Sequence, residues 1–195
     1  MKHIGLTGSI GCGKTTVLKA FRTQGIPCFI ADKEAGKYYN DPTFLKEIHT
    51  LFGDDVFNID GSVNKQQIAH IVFNDKKMLS QLNALIHPRV MAEFKQWADT
   101  QQTPYVIIES AIIYEYGLEK QLDQVIAVYL DKEERLQRLE LRDRVSRDVL
   151  EERMRNQLSA EEKMDRADYV ILNYEGNPRA RQVATIDAKI RETIK

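Results

Sequence analysis

Gly8 to Thr15 read GSIGCGKT, with three glycines in six residues followed by a lysine and a threonine. The run fits the pattern G-x-x-x-x-G-K-[ST] in full. Glycines let successive backbone N–H groups turn inward around a phosphate. A helix opening directly after them adds its positive end. In such a loop Lys14 bridges the β- and γ-phosphates of a nucleotide, and Thr15 ligates Mg2+. Switches, motors, transporters and kinases all use this device, so the remaining residues must decide among them.

A GTP-dependent switch needs a guanine-reading segment of the N-K-x-D type. Asn64-Lys65 is followed by Gln66-Gln67, and in the wrong region. The D-x-x-G element expected after the third strand is also missing, since that strand ends Glu109-Ser110-Ala111-Ile112. A small kinase needs an acid that deprotonates an acceptor hydroxyl. It also needs arginines that neutralise the moving phosphoryl group, and an acceptor pocket. Asp32, at the end of the second strand, is placed either as that base or as an N-cap for the following KEAGKYY, and position alone weighs the two equally. Glu109 is either a strand-end acid or a support for Mg2+ through water. In the arginine-rich stretch from Arg138 to Arg166, Arg142 and Arg144 flank Asp143. Most of these charges are expected on a solvated helix face, with one or two arginines reaching ATP. In LNALIHPRV, Pro88 disfavours helical geometry at His87, which predicts a break or kink exposing His87 and Arg89.

The elements that position these groups follow from periodicity. KHIGLT, IPCFIAD, PYVIIES, DQVIAVYLD and DYVILN read as five short strands, and the third is apolar on both faces, as a parallel sheet requires. Helices alternate with them: one from about Lys14 to Gln24, one opening at Asp131, one at the Ser159/Glu162 capping box, and one at Asn177-Pro178. This alternation predicts an α/β fold with a mostly parallel sheet. Residues 41–100 carry helical spacing and are too long for one crossover helix, which predicts a helical insertion. The 195 residues suit one domain, and a net charge of −1 argues against a broad nucleic-acid footprint. No run spans a membrane and no signal peptide is evident. Cys12 and Cys28 lack metal-ligand spacing, so free thiols in a reducing cytoplasm are expected.

Taken together, GLTGSIGCGKTTV, IAD at residues 30–32, LNALIHPRV, ESAIIYEYGLE, and RLQRLELRD followed by ERMRNQ and ADYVILNYEG resemble the dephospho-CoA kinase family along essentially the whole chain. The His-Pro segment and the Ala-Asp-Tyr-Val-Ile-x-Asn ending are the specific parts. The resemblance implies a P-loop NTPase-type three-layer fold with a parallel five-stranded sheet, a helical acceptor-binding insertion and a lid. Its single domain divides into a core of 1–40, 101–137 and 167–195, an insertion of about 41–100 and a lid of about 138–166. It also implies transfer of the γ-phosphoryl of ATP, with Mg2+, to the ribose 3′-hydroxyl of dephospho-CoA, by a monomer or small homo-oligomer.

Under that resemblance ATP lies on Gly8, Gly11, Cys12, Gly13, Lys14, Thr15 and Thr16. Arg138, Arg142 and Arg144 clamp phosphates from the lid, and Asn173 to Gly176 lie near adenine. Asp32 is the base, with Lys14 and Arg142 catalytic beside it. His87, Arg89, Tyr114 and Glu115 meet the acceptor. The chain departs from the family pattern at Ile30, where an acid is common, and at Gly36, where an arginine is common and Lys37 follows instead. It also reads Ala111-Ile112-Ile113-Tyr114-Glu115 where Pro-Leu-Leu-Phe-Glu is frequent.

Overall fold

The computed structural model describes residues 1–194. Its sheet has five strands: β1 (Lys2–Thr7), β2 (Cys28–Ile30), β3 (Tyr105–Glu109), β4 (Gln124–Tyr129) and β5 (Tyr169–Leu172). All four pairings are parallel, in the order β2-β3-β1-β4-β5. Every residue of β3 is buried, so its unbroken apolar run reflects cover on both faces. Leu6 lies opposite Glu109 and Glu109 opposite Ile30, so three strands end level. The loop leaving β1 therefore opens at the carboxyl edge, between β3 and β4, where the strand order reverses. Ligands bind open α/β sheets at that point.

Helices cover the sheet. Val17, Leu18 and Phe21 of α1 (Lys14–Thr23) and Val183, Ile186 and Ile190 of α9 (Arg179–Glu192) share one core with Ile4, Leu6, Ile107, Ile126, Val128 and Ile171. The alternate positions Val106, Ile108, Val125 and Ala127 are buried on the other face, where α8 (Ala160–Arg166) packs on β4. Between β4 and α8 lie α6 (Lys132–Asp143) and α7 (Arg147–Arg155). Asp131 caps α6 by accepting from Glu134 N–H at 3.1 Å, and Ser159 and Glu162 form a reciprocal capping box on α8.

The chain divides into two compact units, Met1–Ile30 with Ala98 onward, and Ala31–Trp97. The second unit holds α2 (Ala31–Ala35), α3 (Pro42–Phe52), α4 (Lys65–Asn74) and most of α5 (Lys76–Asp99). Phe44, Ile48, Val56, Ile68, Val72 and Leu82 form its own core. Asp41 caps α3 through Thr43 N–H at 2.8 Å, and Asn64 caps α4 through Gln67 N–H at 3.0 Å.

Three local expectations are corrected. Asp32 neither ends the second strand nor caps a helix, because β2 stops at Ile30 and Asp32 is the second residue of α2. The helix does not break at Pro88, and α5 runs through it. A proline there removes one N–H and presses on the carbonyl four residues back. Arg89 Nη1 donates to Leu85 C=O at 2.7 Å, one residue beyond the Ala84 carbonyl that Pro88 leaves without its helical donor. At the last helix Pro178 is the cap and Arg179 the first helical residue, while Asn177 Nδ2 donates to Leu172 C=O at 3.4 Å. Among the described residues no helix is long and apolar enough to cross a membrane.

Candidate active site

The loop from Gly8 to Gly13 is shaped by backbone that only glycine tolerates. Gly13 has φ 88°, and a Cβ there would lie 2.1 Å from Asn173 Nδ2. At Gly8, with φ 150°, a Cβ would lie 2.5 Å from Val128 C=O. Gly13 is the left-handed N-cap of α1, and no side chain caps that helix. The first N–H groups of a helix lack acceptors within it, so an uncapped start is a ready anion site. Lys14 folds over the loop, with Nζ donating to Gly8 C=O at 3.0 Å and lying 3.7 Å from Glu109 Oε1. Thr15 and Thr16 stand exposed on the first turn of α1. Cys12, by contrast, is fully buried in the core, and burial raises its thiol above the usual range. Its contribution to the loop is a backbone one.

Asn173 holds this loop from beneath. It is 2 % exposed, its Nδ2 donates to Cys12 C=O at 2.7 Å, and its Oδ1 accepts from Arg179 Nε at 2.6 Å. Both ends of the side-chain amide thus have protein partners. Arg138 lies alongside, with Nη2 3.3 Å from both Asn173 C=O and Glu134 Oε2. Arg135, unremarked in the sequence, is buried and donates from Nε to Leu130 C=O at 2.9 Å.

Residues of α6, α7 and the linker after α7 bear on the loop tip. Ile10, with Val145 and Met154, packs on a cluster of Leu136, Leu139 and Leu150. Ser9 Oγ–H donates to Leu158 C=O at 3.3 Å, and Ile10 N–H donates to Gln157 Oε1 at 3.1 Å. Arg142 is two-thirds exposed and pairs with Asp143 at 2.6 Å. Arg144, the left-handed C-cap of α6, is the one non-glycine residue with positive φ among the described residues.

Tyr114 and Glu115, both expected to meet the acceptor, have partners within the protein. Tyr114 is buried, and the Arg166 guanidinium lies over its ring at 4.3 Å from the centroid; burial pushes its phenol up to about 12. Glu115 Oε1 accepts from Lys163 Nζ at 2.7 Å and from Leu158 N–H at 2.9 Å. Lys163 is fully buried, also donates to Ala111 C=O, and its amine is lowered chiefly by that burial.

The remaining site residues belong to the second unit. Asp32 is exposed on α2. His87 is half-buried, and burial lowers its imidazole from 6.5 to about 4, so it is neutral at pH 7. Arg89 is half-buried rather than exposed. Its Nη2 lies 2.6 Å from Glu47 Oε1, and its guanidinium sits 5.5 Å from the Phe44 ring centre. Gln157 and Lys163 were missed because they lie in a run read as solvated charge. The Ser159/Glu162 box fixes the start of α8, and that start turns Ala160 and Lys163, three apart, to the inward face. The signal was in the spacing.

The donor set fits a magnesium nucleotide. Among the described residues no cluster of three His, Cys, Asp or Glu could hold a metal alone. The Thr15 hydroxyl on the exposed first turn of α1 is of the oxygen type that Mg2+ takes beside phosphates and water. An uncapped glycine loop, a lysine over it, a strand-end acid and arginine-bearing helices after β4 on a parallel sheet define a P-loop kinase for small molecules.

The family model for dephospho-CoA kinase matches residues 2–178. A curated relative of that name from Bacteroides fragilis is 37% identical over 193 residues, covering 98% of this chain and 94% of its own length. A crystal structure from Thermus thermophilus superposes with a TM-score of 0.85 at 30% identity, covering 98% of this chain and 97% of that one. The dephospho-CoA kinase from Campylobacter jejuni gives 0.68 at 26% identity, covering 99% and 98%. The chain belongs to the dephospho-CoA kinase family.

Proposed function

We propose that the chain transfers the γ-phosphoryl group of ATP to the ribose 3′-hydroxyl of dephospho-CoA, giving CoA and ADP, the last step of CoA biosynthesis. The observation that carries the reading is the uncapped loop start at Gly13, with Lys14 drawn over the loop beside Glu109, in a chain of this family. Loop N–H groups and Lys14 hold the β- and γ-phosphates, and the lid arginines Arg138 and Arg142 neutralise charge on the moving group. The Thr15 hydroxyl would hold Mg2+ together with the phosphates, and the ion would supply charge neutralisation on the phosphate oxygens.

Asp32 takes the acceptor proton. One residue, Ala31, separates it in sequence from Ile30, the last residue of β2. The 3′-oxygen forms a bond to phosphorus as the bond to the β-phosphate oxygen breaks, and the proton passes to the Asp32 carboxylate. Half-buried, neutral His87 serves the acceptor as a hydrogen-bonding group rather than a cation. Ile30 packs on the sheet core, and Lys37 pairs with Glu34. The reaction is placed in the cytoplasm, on a monomer or small homo-oligomer.

Asp32→Asn tests the assignment of the base. It is expected to lower kcat by at least about a hundredfold, the usual contribution of a positioned base, with ATP affinity kept within about twofold. Loss of ATP affinity equal to the loss of turnover would assign Asp32 to phosphate or metal binding instead.

A further inference from the structure

We propose that Gln157 is a positioning residue for the phosphate loop, and that the buried Glu115–Lys163 pair holds it there. The inference rests on the reading that Gly8 to Thr15 bind the phosphates of ATP. Ser9 and Ile10 are the two loop residues with side chains between its first glycines, and both are tied to the linker between α7 and α8. Gln157 Oε1 accepts from Ile10 N–H at 3.1 Å, and Leu158 C=O accepts from Ser9 Oγ–H at 3.3 Å. A loop built on positive-φ glycines has many alternative shapes. These two bonds select one at its tip, while Asn173 selects one at its base.

The linker would do this only if it were itself fixed, and its anchor is costly. Lys163 has no exposed surface, and a buried ammonium is tolerated only with close partners. Its acceptors are Ala111 C=O and Glu115 Oε1, and the same Glu115 oxygen also accepts from Leu158 N–H at 2.9 Å. One carboxylate oxygen therefore joins α8 to the residue next to Gln157. A buried pair of this kind adds little net stability, since an apolar pair of equal volume does as well. What it does impose is a single placement. The capping box at Ser159 fixes α8 one turn before Lys163, so the linker is held from both sides. The loop tip is thus set before ATP arrives, and binding is spared the ordering of a flexible segment.

The test is Mg-ATP titration by calorimetry, with steady-state kinetics, on Gln157→Leu, Lys163→Met and the double variant. Gln157 is half-buried, and leucine keeps its volume without the acceptor. Gln157→Leu is expected to weaken ATP binding about tenfold, the equivalent of ~1.4 kcal/mol, near the upper range for one hydrogen bond. KM for the acceptor should stay within about twofold. Lys163→Met should weaken ATP in the same direction, and the double variant should lose less than the sum of the two single losses, because the Gln157 bond is one of the two that the pair supports. ATP affinity within about twofold of wild type in Gln157→Leu would overturn the proposal, whether or not Lys163→Met folds. So would fully additive losses, or equal rises in KM for ATP and acceptor. Lys14→Ala in the same titration separates the two readings. If it too binds ATP normally, the loop reading itself has failed; if it alone loses ATP, only the role of Gln157 has.

Discussion

Asn173→Ala separates two views of one residue. The family resemblance sets Asn173 beside adenine, whereas the structure sets it under the loop, 2 % exposed between Cys12 and Arg179. Removing the amide strips the Cys12 carbonyl of its 2.7 Å donor inside the core. An orphaned buried acceptor costs about 1–3 kcal/mol. Loss of the bond from the partly exposed Arg179 adds roughly 0.5–1 kcal/mol. The sum is about 2–4 kcal/mol, and a chain of this size loses roughly 2–4 °C of melting temperature per kcal/mol. Thermal unfolding without nucleotide is therefore expected to fall by about 6–12 °C around a loss of ~3 kcal/mol. A variant melting within about 2 °C of wild type, yet binding ATP tenfold more weakly, would refute the buried tie and restore the adenine contact.

Two further outcomes follow from single residues. Arg144 has φ 54° at the C-cap of α6, where left-handed backbone costs a side-chain-bearing residue about 1–2 kcal/mol. Glycine gives back part of that gain as unfolded-state entropy, so Arg144→Gly should raise the melting temperature by about 2–4 °C; a fall would mean that the arginine side chain outweighs the strain. His87 titrates near 6.5 unfolded and near 4 folded. The unfolded chain therefore binds more protons between these values, and stability is complete above about 6.5 and lost as pH falls toward 4. After allowance for solvent screening the loss is about 1–2 kcal/mol. Urea unfolding at pH 7.5 and 4.5 should show it in wild type and not in His87→Gln; equal losses in both would contradict a buried neutral imidazole.

The sheet and the phosphate loop were legible because their signals are local. GSIGCGKT needs only its own glycines, and each strand is a short apolar run between turns. The caps at Asp131 and Ser159 were legible for the same reason, since a cap and its partner lie three residues apart. Asp32 and Pro88 misled through local rules that packing overrode. A helix begins at Ala31 without a break after β2, and α5 continues through Pro88 with Arg89 serving a nearby carbonyl. Asn173, Gln157 and Lys163 were illegible in role because each acts over long separations, on Cys12, Ile10 and Glu115. A polar residue at such a distance looks the same in sequence whether it faces water or a buried carbonyl.

The most direct test of the account is product formation. Purified protein is incubated with Mg-ATP and dephospho-CoA, and the acceptor is analysed by mass spectrometry and fragmentation. The account predicts CoA carrying a new phosphate at the ribose 3′ position, formed in step with ADP and absent with Lys14→Ala. ATP bound normally with dephospho-CoA returned unchanged would contradict it.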